Sequence, residues 1–499
     1  MALLETTVKN GKVQGIVSGN PEVSAFLGIP YAKAPAGKLR FRAPEPAEPW
    51  EGTRICNDFG YSCWQRDSGK NEAFREMVKN RPVPFRFLRM DEDCLSLNVW
   101  TPAETPEEKL PVMVWFYGGG LQGGTSDDTT FDGEGLCGHG VVLVSANYRT
   151  GVFGYFAADA LEEENEYHAC GNYGLLDQVA ALRWVHENIG VFGGDPGNVT
   201  IFGCSGGGRS CQGLSCTPLT KGLVHHVIIH SAGGLNPNYS TPREKLKELG
   251  AKFIRFCGKE TVEDLRELPA EELQAYYDEF SKDFDNWFNI TDDGYALKYT
   301  MDEVVRRGEQ QDLDYILSTT KNEIVRPVQK PVTLKEFPEI RFGGRTAIFK
   351  EVCDPETDEQ ANDYVVNAES YEMKSAQLAW ARVQAGQDKK PVWLCTFDHP
   401  APGNQYALHG ADQMYAFHTL DKQYFEVPEE DEKLSQTEML YWTNFAKHGD
   451  PNGEGLVRWT PFTKESPLTF VIDVPECGMQ LREVPVIEKL TETYINWGR

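Results

Sequence analysis

Ser205 stands in the run GCSGGG, with Gly203 and Gly207 each two residues away. A serine hydroxyl is a poor nucleophile until a base takes its proton. One way to use it is to seat it on a strained turn between a strand and a helix, where the residues two places off must be small. The flanking segments VTIF and RSCQGLS supply such a strand and helix. The motif alone is weak, because glycine-rich turns containing serine are common. Its weight depends on partners elsewhere in the chain.

Attack on an ester carbonyl puts negative charge on oxygen. Each backbone N–H aimed at that oxygen lowers the barrier by roughly 2.7–4 kcal/mol. The run WFYGGGLQGG brings Gly118, Gly119 and Gly120 directly after a strong strand. Three glycines let amides face a site with no side chains in the way. A flexible loop or a phosphate cradle reads alike, but the Lys-Ser or Lys-Thr pair that ends a Walker loop is missing. The serine also needs a base and a carboxylate. Of ten histidines, His409 falls in a loop after the strand PVWLCTF, and Glu323 falls just past the strand in LDYILSTTKNEIV. Catalytic groups gather at the carboxyl ends of strands in open α/β sheets. The order Ser, acid, His is the one that α/β-hydrolases use. Singly, Glu323 reads as a solvated carboxylate and His409 as a helix-start residue. With the turn and the glycine triplet they read as a triad.

Such groups need a rigid frame. The N-terminal segment reads as hairpins through GKVQGIV and VSAFLGIPYA. The short apolar runs LSLNVWTP, LPVMVWFYGG and GVVLVSANY suit strands buried on both faces. Leu175, Leu176, Val179, Leu182 and Val185 recur at helical spacing, and Gly190, Gly193, Gly194 and Pro196 end that helix. NVTIFG is then the strand leading to Ser205. Alternating strands and helices predict a large, mainly parallel sheet flanked by helices. The stretches near 64–93 and 236–311 read as cap-like insertions into a single domain over 1–499. Trp64, Phe85, Phe87, Tyr277 and Trp287 there read as pocket lining or as insertion core. A late helix, EMLYWTNFAKHG, returns to the core.

The composition is ordinary for a globular chain of 499 residues, with 40% hydrophobic and 25% charged residues. A formal net charge of −26 argues against nucleic acid, polyanionic substrates and anionic membrane surfaces as partners. No run reaches the ~20 apolar residues that span a bilayer. The start, MALLETTVKNGKVQGIV, lacks the marks of a signal peptide, so the expected compartment is the cytoplasm unless a leader was removed. The twelve cysteines are scattered without zinc-like CxxC pairs, which predicts free buried thiols in a reducing compartment. The chemistry requires no metal and no cofactor.

The runs FLGIPYAKAPAGKLRFRAPEP, DEDCLSLNVWTP, PVMVWFYGGG, NYRTGVFGYF, GNYGLLDQ…GGDPGNVTIFG and NFAKHGDPN extend over nearly the whole chain. Through them the sequence resembles the type-B carboxylesterase/lipase family, whose members include bacterial p-nitrobenzyl esterase-like enzymes and cholinesterases. The resemblance implies one large α/β-hydrolase domain with a deep gorge above the sheet. It implies Ser205 as nucleophile, Glu323 as acid and His409 as base. It implies Gly119, Gly120 and Gly206 as oxyanion donors and Ser231 as a buried brace. It also places Cys63 and Cys94 beside a loop that some relatives close with a disulfide, a pairing left open here.

Cys204 and Gly206 depart from the Glu and Ala that the family usually carries on either side of the serine. Asn322-Glu323-Ile324 departs from the usual Asp-Glu-Gly. Losing the Glu removes a charge that would favour a cationic substrate. Cys204 reads as a small buried side chain, with a redox-sensitive thiol as the sharper alternative. Arg209, one helical turn past the serine, reads as a member of a structural ion pair, with a hold on a substrate carboxylate as the alternative. The expected activity is hydrolysis of small to medium soluble esters through an acyl-enzyme. Lipase, amide or carbamate hydrolysis on the same fold is the neighbouring alternative, and a non-catalytic binding protein the distant one. The oligomeric state stays open.

Overall fold

The computed structural model describes residues 2–67, 88–342, 347–423 and 425–498. Phe85, Phe87 and most of the first expected insertion lie outside them. The chain starts with β1 (Glu5–Val8), β2 (Gly11–Gln14), β3 (Ile16–Val17), β4 (Ser24–Pro30), β5 (Thr53–Ile55) and β6 (Ser96–Thr101). The central strands are β7 (Leu110–Phe116), β8 (Val142–Ala146), β9 (Gly194–Cys204), β10 (His226–His230), β11 (Asp314–Thr320) and β12 (Val392–Phe397). β13 (Thr469–Ile472) and β14 (Gly478–Gln480) follow late in the chain. β1, β2 and β5 form a small separate sheet.

Among the described residues, eleven strands make one sheet in the order β14-β13-β12-β11-β10-β9-β7-β8-β6-β4-β3. From β13 to β8 every neighbouring pair is parallel. The edges are antiparallel, β14 on one side and β6, β4 and β3 on the other. Every residue of β6 and β8 is buried, as continuous apolar runs with both faces covered require. The registers pair Phe116 with Gly203, Cys204 with His230, His230 with Ser318, and Thr320 with Phe397. The carboxyl ends of β7, β9, β10, β11 and β12 therefore meet along one edge.

The helix expected after GNYG is α1 (Tyr173–Asn188), which buries Leu175, Val179, Leu182 and Val185 and leaves Leu176 partly buried. A short 3-10 turn follows and ends at Gly193 in the left-handed region, φ 79°. β9 then starts at Gly194, earlier than the NVTIFG run suggests. The helix after the serine is α2 (Gly206–Cys216), buried throughout. The 236–311 stretch is helical as expected, with α3 (Arg243–Phe256), α4 (Val262–Glu267), α5 (Ala270–Phe280) and α6 (Met301–Arg307). Tyr277 is buried there and stacks on Phe288 with ring centroids 5.5 Å apart, so it is packed among aromatics rather than open to a pocket. Trp287 donates to Ser281 O at 2.9 Å, and Trp64 packs against the core.

α7 (Asp358–Gln384) is the longest helix and went unread in the sequence. Its buried face is built largely from alanine, serine, glutamine and glutamate, which carry little apolar periodicity. It packs on α9 (Pro485–Asn496). α8 (Glu429–His448) starts nine residues before EMLYWTNFAKHG. Four acidic residues open it and Lys447 and His448 close it, matching the helix dipole.

All twelve cysteines are buried free thiols. Cys63 and Cys94 are hydrogen-bonded neighbours, so the disulfide that the resemblance left open is not formed. Among the described residues no helix is long and apolar enough to cross a membrane.

Candidate active site

β9 delivers Ser205 into a turn with φ 56° and ψ −118°, outside the regions that an L side chain ordinarily adopts. The turn is clamped from two directions. The Ser205 N–H donates to His230 O at 3.0 Å, and the Arg209 N–H donates to Ser205 O at 3.0 Å, opening α2. The two glycines are steric requirements of this turn. A Cβ at 203 would sit 2.6 Å from Gly207 C and 2.7 Å from Phe116 O, and one at 207 would overlap Phe116 O. From Ile201 to Ser210, Ser205 alone is not fully buried.

The glycine triplet leaves the end of β7 and crosses in front of this turn. Gly119 and Gly120 have φ of 108° and 68°, values that glycine alone takes without cost. A Cβ at 118 would lie 3.2 Å from Ser205 Cβ, and a Cβ at 206 would lie 2.9 Å from Gly120 N and 2.7 Å from Leu121 N. The triplet and residue 206 are therefore in direct apposition. Leu121, also at positive φ, and Gln122 escaped the sequence reading. The Gly151 N–H donates to Leu121 O at 2.7 Å. Gln122 Nε2 donates to Phe288 O at 2.9 Å, and the Tyr277 hydroxyl donates to Gln122 Oε1. The loop is thus tied to the 236–311 segment.

Glu323 lies just past the end of β11, as read from the sequence, and is fully buried at φ 43°. The Thr320 N–H donates to its Oε1 at 2.8 Å. Its Oε2 accepts from His409 Nδ1 at 2.6 Å, and its backbone O accepts from the His409 N–H at 2.8 Å. Nδ1 therefore carries the proton, and Nε2 is the nitrogen turned from the carboxylate. The His409 side chain keeps 22% exposure. The next residue, Gly410, lies close enough to the serine turn that a Cβ there would be 3.9 Å from Cys204 Sγ.

Cys204 is 1% exposed, and burial, with the nearby Asp412 and Glu323 charges, holds its thiol well above the usual range. Burial favours the thiol over the thiolate, as suits a packing side chain. Ser231 is buried at φ 49°, and its N–H donates to Ser318 O at 2.7 Å, tying β10 to β11 behind the serine. Arg209 donates to two neutral oxygens, Gly120 O at 2.6 Å and Asn289 Oδ1 at 2.9 Å.

A second buried histidine–carboxylate pair was not foreseen. His230 Nδ1 lies 2.6 Å from Asp412 Oδ2, and Trp442 Nε1–H donates to His230 Nε2 at 2.9 Å. Nε2 accepts, so Nδ1 holds the proton and the ring is neutral. The HisGlyAlaAsp spacing of 409–412 was the available signal: the loop that brings His409 also brings Asp412.

The parallel centre of the sheet, its covering helices and the strained serine at the end of β9 put the molecule among the α/β-hydrolases. Within that class the chain belongs to the carboxylesterase family, whose model matches residues 3–486. It is similar to the medium-chain fatty acyl-CoA hydrolase precursor of Anas platyrhynchos, 33% identical over 96% of this chain and 90% of that one. It is similar to the para-nitrobenzyl esterase of Bacillus subtilis (strain 168), 32% identical over 94% of each. A solved PNB esterase structure superposes with a TM-score of 0.82 at 29% identity, covering 98% of this chain and 99% of that one. The protein is a carboxylesterase, hydrolysing esters by serine-hydrolase chemistry.

Proposed function

We propose that Ser205 is the nucleophile, His409 the base and Glu323 the orienting acid. Gly119, Gly120 and Gly206 N–H groups hold the oxyanion. The observation that carries this is the 2.6 Å Glu323–His409 bond on the sheet edge that also bears the strained Ser205. His409 Nε2 takes the Ser205 proton as Oγ attacks the ester carbonyl. The tetrahedral oxyanion is stabilised by the amides, and His409 returns the proton to the leaving alcohol. Water then attacks the acyl-enzyme by the same route. Glu323 keeps the Nδ1 proton in place and stabilises the imidazolium.

The substrates we assign are neutral, small to medium soluble esters. A net charge of −26 works against polyanionic acyl-CoA thioesters of the kind named for the Anas relative. We take the chain as one folding unit with a cap-like 236–311 insertion, supported by a core contiguous from Val8 to Tyr494. We assign it to the cytoplasm, where twelve buried free thiols are at home. Ser205→Ala is expected to abolish turnover of a p-nitrophenyl ester and labelling by a fluorophosphonate. Wild-type turnover in that variant would sink the assignment. A screen of acyl length, leaving group and acyl-CoA tests the substrate class.

A further inference from the structure

We propose that Arg209 is a positioning residue of the oxyanion hole, holding the Gly120 carbonyl, and through it the Gly120 N–H, in the orientation that the reaction needs. The inference rests on the assignment of Ser205 and the glycine amides above.

Gly119 and Gly120 both sit at positive φ. A pair of glycines is the most easily rotated stretch of backbone available, since no Cβ blocks other conformers. An oxyanion hole works only if its N–H groups already point at the developing charge, with no reorganisation when it forms. Something must therefore hold the triplet. Arg209 Nη2 donates to Gly120 O at 2.6 Å, a charge-assisted bond and one of the tightest in the loop. The peptide unit is planar, so fixing that carbonyl fixes Gly120 ψ, and with that end of Gly120 held the Gly120 N–H can swing only about φ.

The opposite side of the same peptide faces Gly206. A Cβ at 206 would come within 2.9 Å of Gly120 N and 2.7 Å of Leu121 N. The peptide is thus seated between a guanidinium and a residue that has no side chain. The guanidinium is itself anchored. Arg209 is 2% exposed, its backbone N–H bonds Ser205 O at 3.0 Å, and its Nη1 bonds Asn289 Oδ1 at 2.9 Å. Asn289 Nδ2 reaches Tyr239 O at 3.3 Å, and Asn289 Oδ1 also accepts the Ile290 N–H at 2.9 Å. One side chain thereby links three parts that must keep register: the nucleophile's helix, the oxyanion loop and the 236–311 segment. Nη1 and Nη2 each thereby hold a neutral oxygen.

The test compares Arg209→Ala, Arg209→Lys, Asn289→Ala and Ser205→Ala on a neutral p-nitrophenyl ester. Inhibition by a trifluoromethyl ketone, which binds as a tetrahedral oxyanion, is measured alongside. Loss of a whole oxyanion donor costs about 10²–10³ in kcat. Acting through a donor, Arg209→Ala is expected to lower kcat about 10- to 100-fold. KM is expected to stay within about twofold, with the ketone's affinity falling in parallel with kcat. Arg209→Lys is expected to recover part of both, and Asn289→Ala to show a smaller loss in the same two quantities. A folded Arg209→Ala with unchanged kcat and ketone affinity would overturn the proposal. So would a loss confined to KM for anionic esters. If Arg209→Ala does not fold, unchanged kcat and ketone affinity in Asn289→Ala overturns it instead. An active, labelled Ser205→Ala would bring down the underlying assignment, whereas an inactive Ser205→Ala beside normal Arg209 variants removes this inference alone.

Discussion

Two histidine–carboxylate pairs lie beside the Ser205 turn, and their bonds have the same length. His409 meets Glu323 at 2.6 Å, and His230 meets Asp412 at 2.6 Å. Both rings hold the Nδ1 proton toward a buried carboxylate. The difference is at the other nitrogen. His230 Nε2 is capped by Trp442 and its side chain is 1% exposed, whereas the His409 side chain keeps 22% exposure. A histidine with both nitrogens engaged in the interior has no lone pair for a substrate proton. It is a brace, and its backbone carbonyl is the group that holds the Ser205 N–H. A His–carboxylate bond therefore suits a base only where the ring also keeps an exposed edge, as His409 does and His230 does not.

The widest separation of the pairs comes from kinetics. His409→Gln is expected to lower kcat by about 10⁶-fold, and Glu323→Gln by about 10⁴-fold. Both should leave the urea midpoint close to wild type, and an active His409→Gln would erase the distinction. His230→Ala should do the reverse. It leaves the Asp412 carboxylate buried without its partner, at a cost of about 3–5 kcal/mol in urea unfolding. The folded fraction should retain turnover within about tenfold. A large kcat loss without destabilisation would make His230 part of the chemistry.

A subtler separation is in pH. Glu438 is fully buried, and burial together with the Asp412 charge holds its carboxyl well above the usual range. The folded protein then keeps a proton that the unfolded chain releases near pH ~4.3. Unfolding releases that proton, so this group's stability contribution falls as pH rises from about 4.3 toward the raised folded value. Glu438→Gln should flatten that part of the stability profile, read as urea midpoint against pH, without moving the pH–rate curve. A shifted rate curve would connect the brace to the working pair. The smallest effect is expected at Cys204. Cys204→Ala should change kcat by no more than about twofold and cost about 1 kcal/mol. Thiol reagents should leave Cys204 unmodified in the native protein, and rapid labelling would restore the redox alternative.

The serine turn was legible because its requirements are local. Gly203 and Gly207 stand where a Cβ would strike Gly207 and Phe116, and such crowding leaves its mark in adjacent residues. Strands buried on both faces and α1 were legible for the same reason, since burial writes continuous apolar runs into the first and a helical period into the second. Glu323 and His409 could be read because both follow strands that end on one edge. α7 was missed because its buried face is small and polar. The aromatic Tyr277, left open between pocket and core, was settled only by the ring it stacks on.

What the sequence determined by itself was the fold class, the family and the serine turn. These follow from contacts between near neighbours and from motifs written contiguously. Which histidine keeps an exposed edge and which is sealed in the interior depends on contacts 86 and 182 residues apart. Arg209 read as a member of a structural ion pair, yet it reaches back 89 residues to a glycine carbonyl. Partners so distant along the chain are chosen by how strands stack in the sheet and helices pack on it. Only the tertiary structure could decide them, because the hydrogen-bonding capacity of a side chain is encoded locally while its direction and its neighbours are not.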